Sequence, residues 1–155
     1  MSTANSNYTP QQAEMVSQIR EFAAGAVLFN QRVAERVGLH PTDLQCTNLL
    51  CVLGPSTPGR LAEYTGLTTG GVTVMLDRLE KAGYIKREAN PDDRRSLLVR
   101  VSAKKIEKID QHYAGVGQQL EAFLNEVSEA ELTVALKFFK RMNAIRKSVV
   151  TGEQR

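Results

Sequence analysis

Apolar residues recur at helical spacing along most of this chain and change to a β-like pattern at one place. Over 10–37, Met15, Ile19, Phe22, Ala26 and Phe29 or Val33 fall on one stripe, which predicts a long amphipathic helix. Leu39 to Pro41 interrupts it. Thr42-Asp43-Leu44-Gln45 has the form of a capping box and opens a helix to about residue 53, ended by Gly54-Pro55-Ser56. Thr57-Pro58 starts a short helix, with Thr as cap and Pro where its missing N–H costs nothing. Leu61, Ala62 and Tyr64 follow, and Gly66 is free to take a left-handed cap. Thr68 or Thr69 caps the next helix, which runs to about Ala82 and buries Val72, Met75, Leu76, Leu79 and Ala82, with Gly83 beyond.

The β-like pattern follows. Residues 84–88 and 97–101 read as strands, the second β-branched or apolar with Arg100 turned out. Asn90, Pro91 and Asp92 between them are turn formers. Ile106, Ile109, Tyr113, Val116, Leu120, Phe123 and Val127 are then spaced 3, 4, 3, 4, 3 and 4, a heptad seam over about 103–127 that suits lengthwise pairing. Gly115 and Gly117 lie inside it. Ser128-Glu129-Ala130-Glu131 is a second capping box, and Leu132, Leu136, Phe139, Met142 and Ile145 line a last helix to about 150. The fold class expected is mainly α with a small β-wing: a winged helix-turn-helix over 42–102, helices over 10–37 and 103–150 that dimerise, and a disordered N-terminal tail over 1–9.

Two short helices about a Gly-containing turn, the second with a small polar exposed face, is the layout of a DNA-reading helix-turn-helix. Thr68, Thr69 and Thr73 can donate to phosphates or base edges, and Val74 can touch a thymine methyl. Arg78, at the end of the same stretch, joins these DNA contacts. Gly70 and Gly71 admit two readings: close backbone approach with N–H groups on a phosphate, or a first turn that frays until DNA orders it. Arg94 and Arg95 sit at or just past the hairpin tip, where a ribbon can place arginine in the minor groove. Arg60, Lys86 and Arg87 read as backbone contacts or solvated residues.

Together the blocks Leu61-Ala62-Glu63-Tyr64-Thr65-Gly66-Leu67-Thr68, Leu76-Asp77-Arg78-Leu79-Glu80-Lys81-Ala82-Gly83-Tyr84-Ile85 and Asp92-Asp93-Arg94-Arg95-Ser96 closely resemble the MarR family of bacterial transcription regulators. The flanking helices match in number and order. One departure is Lys105, where many members have Gly; Ser102-Ala103-Lys104-Lys105 implies a more direct start to the next helix. The resemblance implies a sequence-specific regulator of double-stranded DNA, expected to be a repressor, in which Asp93 holds a wing arginine by an ion pair. It also implies a homodimer whose terminal helices interlock, here through Ile19, Leu120, Phe123, Phe138, Phe139, Met142 and Ile145. Family members often bind a small aromatic or other anionic effector between dimer helices and winged helix; Phe22, Ala26, Leu49 and Tyr113 are the lining candidates.

Composition sharpens this picture in three places. Net charge is +3, yet residues 55–105 carry 10 Lys/Arg against 6 Asp/Glu, a local +4, and the rest of the chain is at −1. The basic excess therefore lies on the winged-helix stretch, as nucleic-acid binding requires. Cys46 and Cys51 share one helix at about 140° around its axis, so they cannot bridge each other, and their apolar neighbours predict two buried, inert thiols rather than a redox sensor. The start of the chain is polar and no apolar run approaches spanning length, so a cytoplasmic protein without membrane contact is expected. His40 and His112 stand apart without spaced metal ligands. No nucleophile with its base, paired carboxylates or phosphate loop is present, so neither an enzyme nor a cofactor is expected. A winged helix serving as a protein-binding module is the reading from another class, and the basic wing tip argues against it.

Overall fold

The computed structural model describes residues 7–151. Its order is α1 (Pro10–Val37), α2 (Pro41–Leu53), α3 (Pro58–Thr65), α4 (Thr69–Lys81), β1 (Ile85–Ala89), β2 (Leu97–Val101), α5 (Ala103–Glu126) and α6 (Glu129–Thr151). The mainly α class with a small β-wing holds. Two compact units divide the chain, one ending at Pro41 and the other starting at Thr42.

The first unit is α1. Thr9 is its cap: the Gln12 N–H donates to Thr9 Oγ1 at 3.3 Å and the Thr9 N–H donates to Gln12 Oε1 at 2.9 Å. Thr9-Pro10 followed by Gln12 is a capping box with Pro at the first helical position, so the helix spans Pro10–Val37 as its apolar stripe indicates. Residues 1–6 of the expected tail lie outside the described residues. Gly38 closes the helix in the left-handed region at φ +69°.

The second unit holds the winged helix. Helix α2 begins at Pro41, so Thr42 sits in its first turn rather than capping it. Leu44, Cys46 and Leu50 of α2, Leu61 of α3, Val72, Met75, Leu76 and Leu79 of α4, then Tyr84, Ile85, Val99 and Ile109, form the core. Thr57 and Gly66 bound α3, and Thr68 caps α4, as the sequence indicates. Ala82, expected on the buried stripe, is exposed and is the C-terminal cap, one residue past the last helical turn.

Strands β1 and β2 pair antiparallel with Ile85 opposite Val101 and Ala89 opposite Leu97. Tyr84 precedes the ladder; its carbonyl accepts the Ser102 N–H at 2.8 Å. Ser56 adds a bridge that no sequence pattern announces. Its N–H donates to the Val99 carbonyl at 3.2 Å, and its carbonyl accepts the Val99 N–H at 2.9 Å. The segment before α3 is thereby tied to the middle of the wing. Helix α5 starts directly after Ser102, whose carbonyl accepts from both Lys105 and Ile106 at 2.9 Å, as the missing Gly implies.

The heptad seam of α5 is covered only in part. Ile109 is fully buried and Tyr113 half-buried, while Val116, Leu120 and Phe123 are more than half exposed. On α6, Leu136, Phe139 and Ile145 are exposed as well, and Phe138 meets Phe139 edge to face at 5.7 Å.

Candidate nucleic-acid interface

The exposed face of α4 begins at its cap. Thr68 Oγ1 accepts the Gly71 N–H at 3.1 Å and Thr73 Oγ1 donates to the Thr69 carbonyl at 3.0 Å. Thr69, Gly70, Thr73 and Val74 are all exposed beside them. The two glycines differ. A Cβ on Gly71 would stand 3.3 Å from Thr68 Oγ1 and 3.7 Å from Leu67 Cβ, so the close fit of the cap accounts for it. A Cβ on Gly70 would meet nothing within 4 Å. We expect Gly70→Ala to stabilise the fold slightly, by about 0.5 kcal/mol, because Ala is the better helix former. If Gly70 serves close backbone approach to DNA, as one of the two readings of the sequence has it, duplex affinity should nevertheless fall several-fold, because the added methyl would stand in the way of a phosphate. Paired melting and DNA titrations decide it; unchanged affinity would leave fraying as the reason for Gly70.

The wing tip is set by its own side chains. Asn90 Oδ1 accepts the Asp92 N–H at 3.1 Å, Asp93 Oδ1 accepts the Arg95 N–H at 3.0 Å, and Asn90 Nδ2 donates to Ser96 Oγ at 2.8 Å. These local bonds are why Asn, Asp and Ser occupy the turn. Asp93 thus holds the Arg95 backbone, in place of the expected ion pair with an arginine side chain. Arg94 and Arg95 are exposed, and among the described residues neither guanidinium has an ion-pair partner, nor has that of Arg60.

Two other arginines are engaged. Arg78 forks onto Asp43 of α2, Nη2 to Oδ1 at 2.6 Å and Nε to Oδ2 at 3.0 Å; Asp43 is buried and the arginine half exposed. That hydrogen bond raises the Arg78 pKa. Arg87 reaches from β1 to Asp77 and Glu80 of α4, each at 2.7 Å. Arg100 pairs with Glu88 at 2.8 Å across the ladder. Sequence alone singles out neither Asp43 nor the Asp77–Glu80 pair as an arginine partner. The signal available is the i, i+3 spacing of two acids on the recognition helix, with an arginine seven residues beyond the second.

The thiols separate. Cys46 is fully buried, and burial, with the Asp43 carboxylate nearby, pushes its pKa up to about 12. Cys51 is exposed, which corrects the expectation of two buried thiols: the same 140° offset that forbids a bridge turns it off the core face. Partial desolvation and the Asp110 carboxylate still raise its pKa. A thiol reagent at neutral pH should therefore modify Cys51 alone, more slowly than a free cysteine, with a rate that climbs as pH rises. Rapid modification of both in the folded protein would contradict this placement. Of the residues expected to line an effector site, Leu49 and Tyr113 are half-buried in the second unit, where the Asn48 amide donates to the Tyr113 hydroxyl at 3.1 Å. Phe22, exposed, and Ala26, half-buried, belong to the first. Among the described residues no group of His, Cys, Asp or Glu could hold a metal ion, and no helix is long and apolar enough to cross a membrane.

A sequence profile of the MarR family matches residues 37–96. The chain is 37% identical over 138 residues to a protein of Bacillus subtilis (strain 168) named as the uncharacterized HTH-type transcriptional regulator YcgE, covering 89% of each. Its fold is similar to that of a MarR protein from Peptoclostridium difficile, with a TM-score of 0.65 at 14% identity over 99% of this chain and 96% of that one. A cysteine-to-serine mutant of Escherichia coli MarR complexed with operator DNA gives a TM-score of 0.55 at 20% identity, over 88% and 99% respectively.

Proposed function

Since the chain belongs to the MarR family of helix-turn-helix transcriptional regulators, we propose that it binds a pseudo-palindromic duplex operator as a homodimer and represses until a small aromatic or other anionic effector releases it. One observation carries the DNA reading: a small, exposed recognition face lies on the same winged helix as a wing tip whose two arginines have no ion-pair partner among the described residues. The first suits base edges in the major groove, the second the narrow minor groove. Exposed Leu120, Phe123, Phe138, Phe139 and Ile145, with half-buried Met142 and Ile19, support the dimer, because that much apolar surface calls for a covering partner. A two-fold dimer sets half-sites about 10 base pairs apart.

Selection of bound duplexes from a random pool, then titration across salt concentrations, tests the reading. A two-fold symmetric consensus with affinity falling steeply in salt is expected; no enriched sequence would overturn it. Release of the selected duplex by aromatic acids tests the effector. Phe123→Glu should turn the dimer into monomers in sedimentation, since it puts a charge on an apolar seam; a dimer that persists would remove Phe123 from the interface.

A further inference from the structure

Arg87 carries a role different from the other cations of the winged helix. It projects from β1 onto α4, where Nη1 donates to Glu80 Oε2 and Nη2 to Asp77 Oδ1, both at 2.7 Å. Nη2 also lies 3.5 Å from the Thr73 carbonyl oxygen, and the Arg87 backbone N–H donates to Glu80 Oε1 at 3.1 Å. Thr73, Asp77 and Glu80 are spaced i, i+4 and i+7, so one side of the recognition helix is stitched to one edge of the wing. The Arg87 side chain is 21% exposed, and the carboxylates it bridges are 60% and 40% exposed.

We propose that Arg87 is a positioning residue for DNA recognition rather than a phosphate contact: it latches the wing to the recognition helix and masks two carboxylates that would otherwise repel the duplex. The proposal rests on the DNA reading above. The contacts are divided between Nη1 and Nη2, so the planar fork spans acceptors set apart along α4, whereas an ammonium offers all its donors from one nitrogen. A phosphate could recruit Arg87 only by stripping it from both partners, whereas Arg94 and Arg95 have no such partner to give up among the described residues. The latch fixes the offset between the element in the major groove and the element in the minor groove.

The test uses the full chain with Arg87→Lys, with Asp77→Ala and Glu80→Ala combined, and with Arg94→Ala as control. Amide exchange over β1 needs no DNA: Arg87→Lys should speed it at least about fivefold, the scale of a partly exposed ion-pair network, while Arg94→Ala leaves it unchanged. Unchanged protection in Arg87→Lys overturns the latch, even if the protein proves to bind no duplex. On the selected operator, the Asp77→Ala, Glu80→Ala protein should bind about fivefold more weakly although it has lost two negative charges. Base changes under the wing should then cost little, while those under the recognition helix keep their penalties. If that protein binds more tightly, and Arg87→Lys binds like the wild type, Arg87 is a phosphate contact and the proposal fails.

Discussion

Replacing both Arg94 and Arg95 by alanine should lower affinity for the proposed operator at least about tenfold while leaving the fold and the proposed dimer intact. The two guanidinium groups are exposed and have no ion-pair partner among the described residues, so the folded chain loses little with them. The turn that carries them is held by Asn90, Asp93 and Ser96, all of which remain. The whole effect should therefore fall on binding. A two-fold dimer loses four cations, and each phosphate contact given up flattens the dependence of log affinity on log salt by about 0.9. Titration at several salt concentrations, beside sedimentation and melting of the same variant, measures all three quantities. Unchanged affinity would take the wing off the DNA. A variant that melts early would mean that the arginines hold the hairpin instead.

The second large effect is an asymmetry between the two ends of one ion pair. Asp43 and Arg78 form a forked pair, but the side chain of Asp43 is 4% exposed and that of Arg78 is 48%. Arg78→Ala strands a buried carboxylate that α2 keeps from water, which should cost about 3 kcal/mol. Asp43→Ala leaves an arginine already half in solvent, free to turn outward, and should cost about 1 kcal/mol. Asp43→Leu with Arg78→Met should recover most of the loss, since apolar groups of similar volume replace a pair whose desolvation was expensive. Denaturant unfolding at one fixed protein concentration decides the order, because the apparent stability of the proposed dimer would depend on concentration. Equal costs for the two single changes would mean that Asp43 reaches water when its partner is gone. The pair engages Nε and Nη2 of Arg78 and leaves the guanidinium half exposed.

The helices are legible in the sequence because their signals are local. Thr57-Pro58, Gly66, Thr68 and the Ser128–Glu131 box are caps whose partners lie within four residues, and the periodicity of α4 marks its buried stripe correctly down to Leu79. The features that sequence does not disclose depend on pairs distant along the chain. Asp43 meets Arg78 across 35 positions, and Ser56 joins Val99 across the whole helix-turn-helix. Neither has a periodicity to announce it. The charge and neighbourhood of Arg87 suit a DNA-facing cation; only the fold shows its fork filled by acids of α4. Cys51 misleads for a related reason: apolar neighbours in sequence are not neighbours in space on a helix.

Helix α5 changes character along its length, core-bound as far as Tyr113 and uncovered from Val116 onward, with Gly115 and Gly117 at the change. The two glycines, the weakest helix formers in α5, fall near its middle, where bending would act on both ends alike. A helix of 24 residues is about 36 Å long, so a tilt of about 5° at its middle moves each end by roughly 1.5 Å. In a two-fold pair the reading heads would separate by about 3 Å, close to one base-pair step of about 3.4 Å. In the proposed dimer, a small event among the exposed apolar residues would then put both half-sites out of register at once.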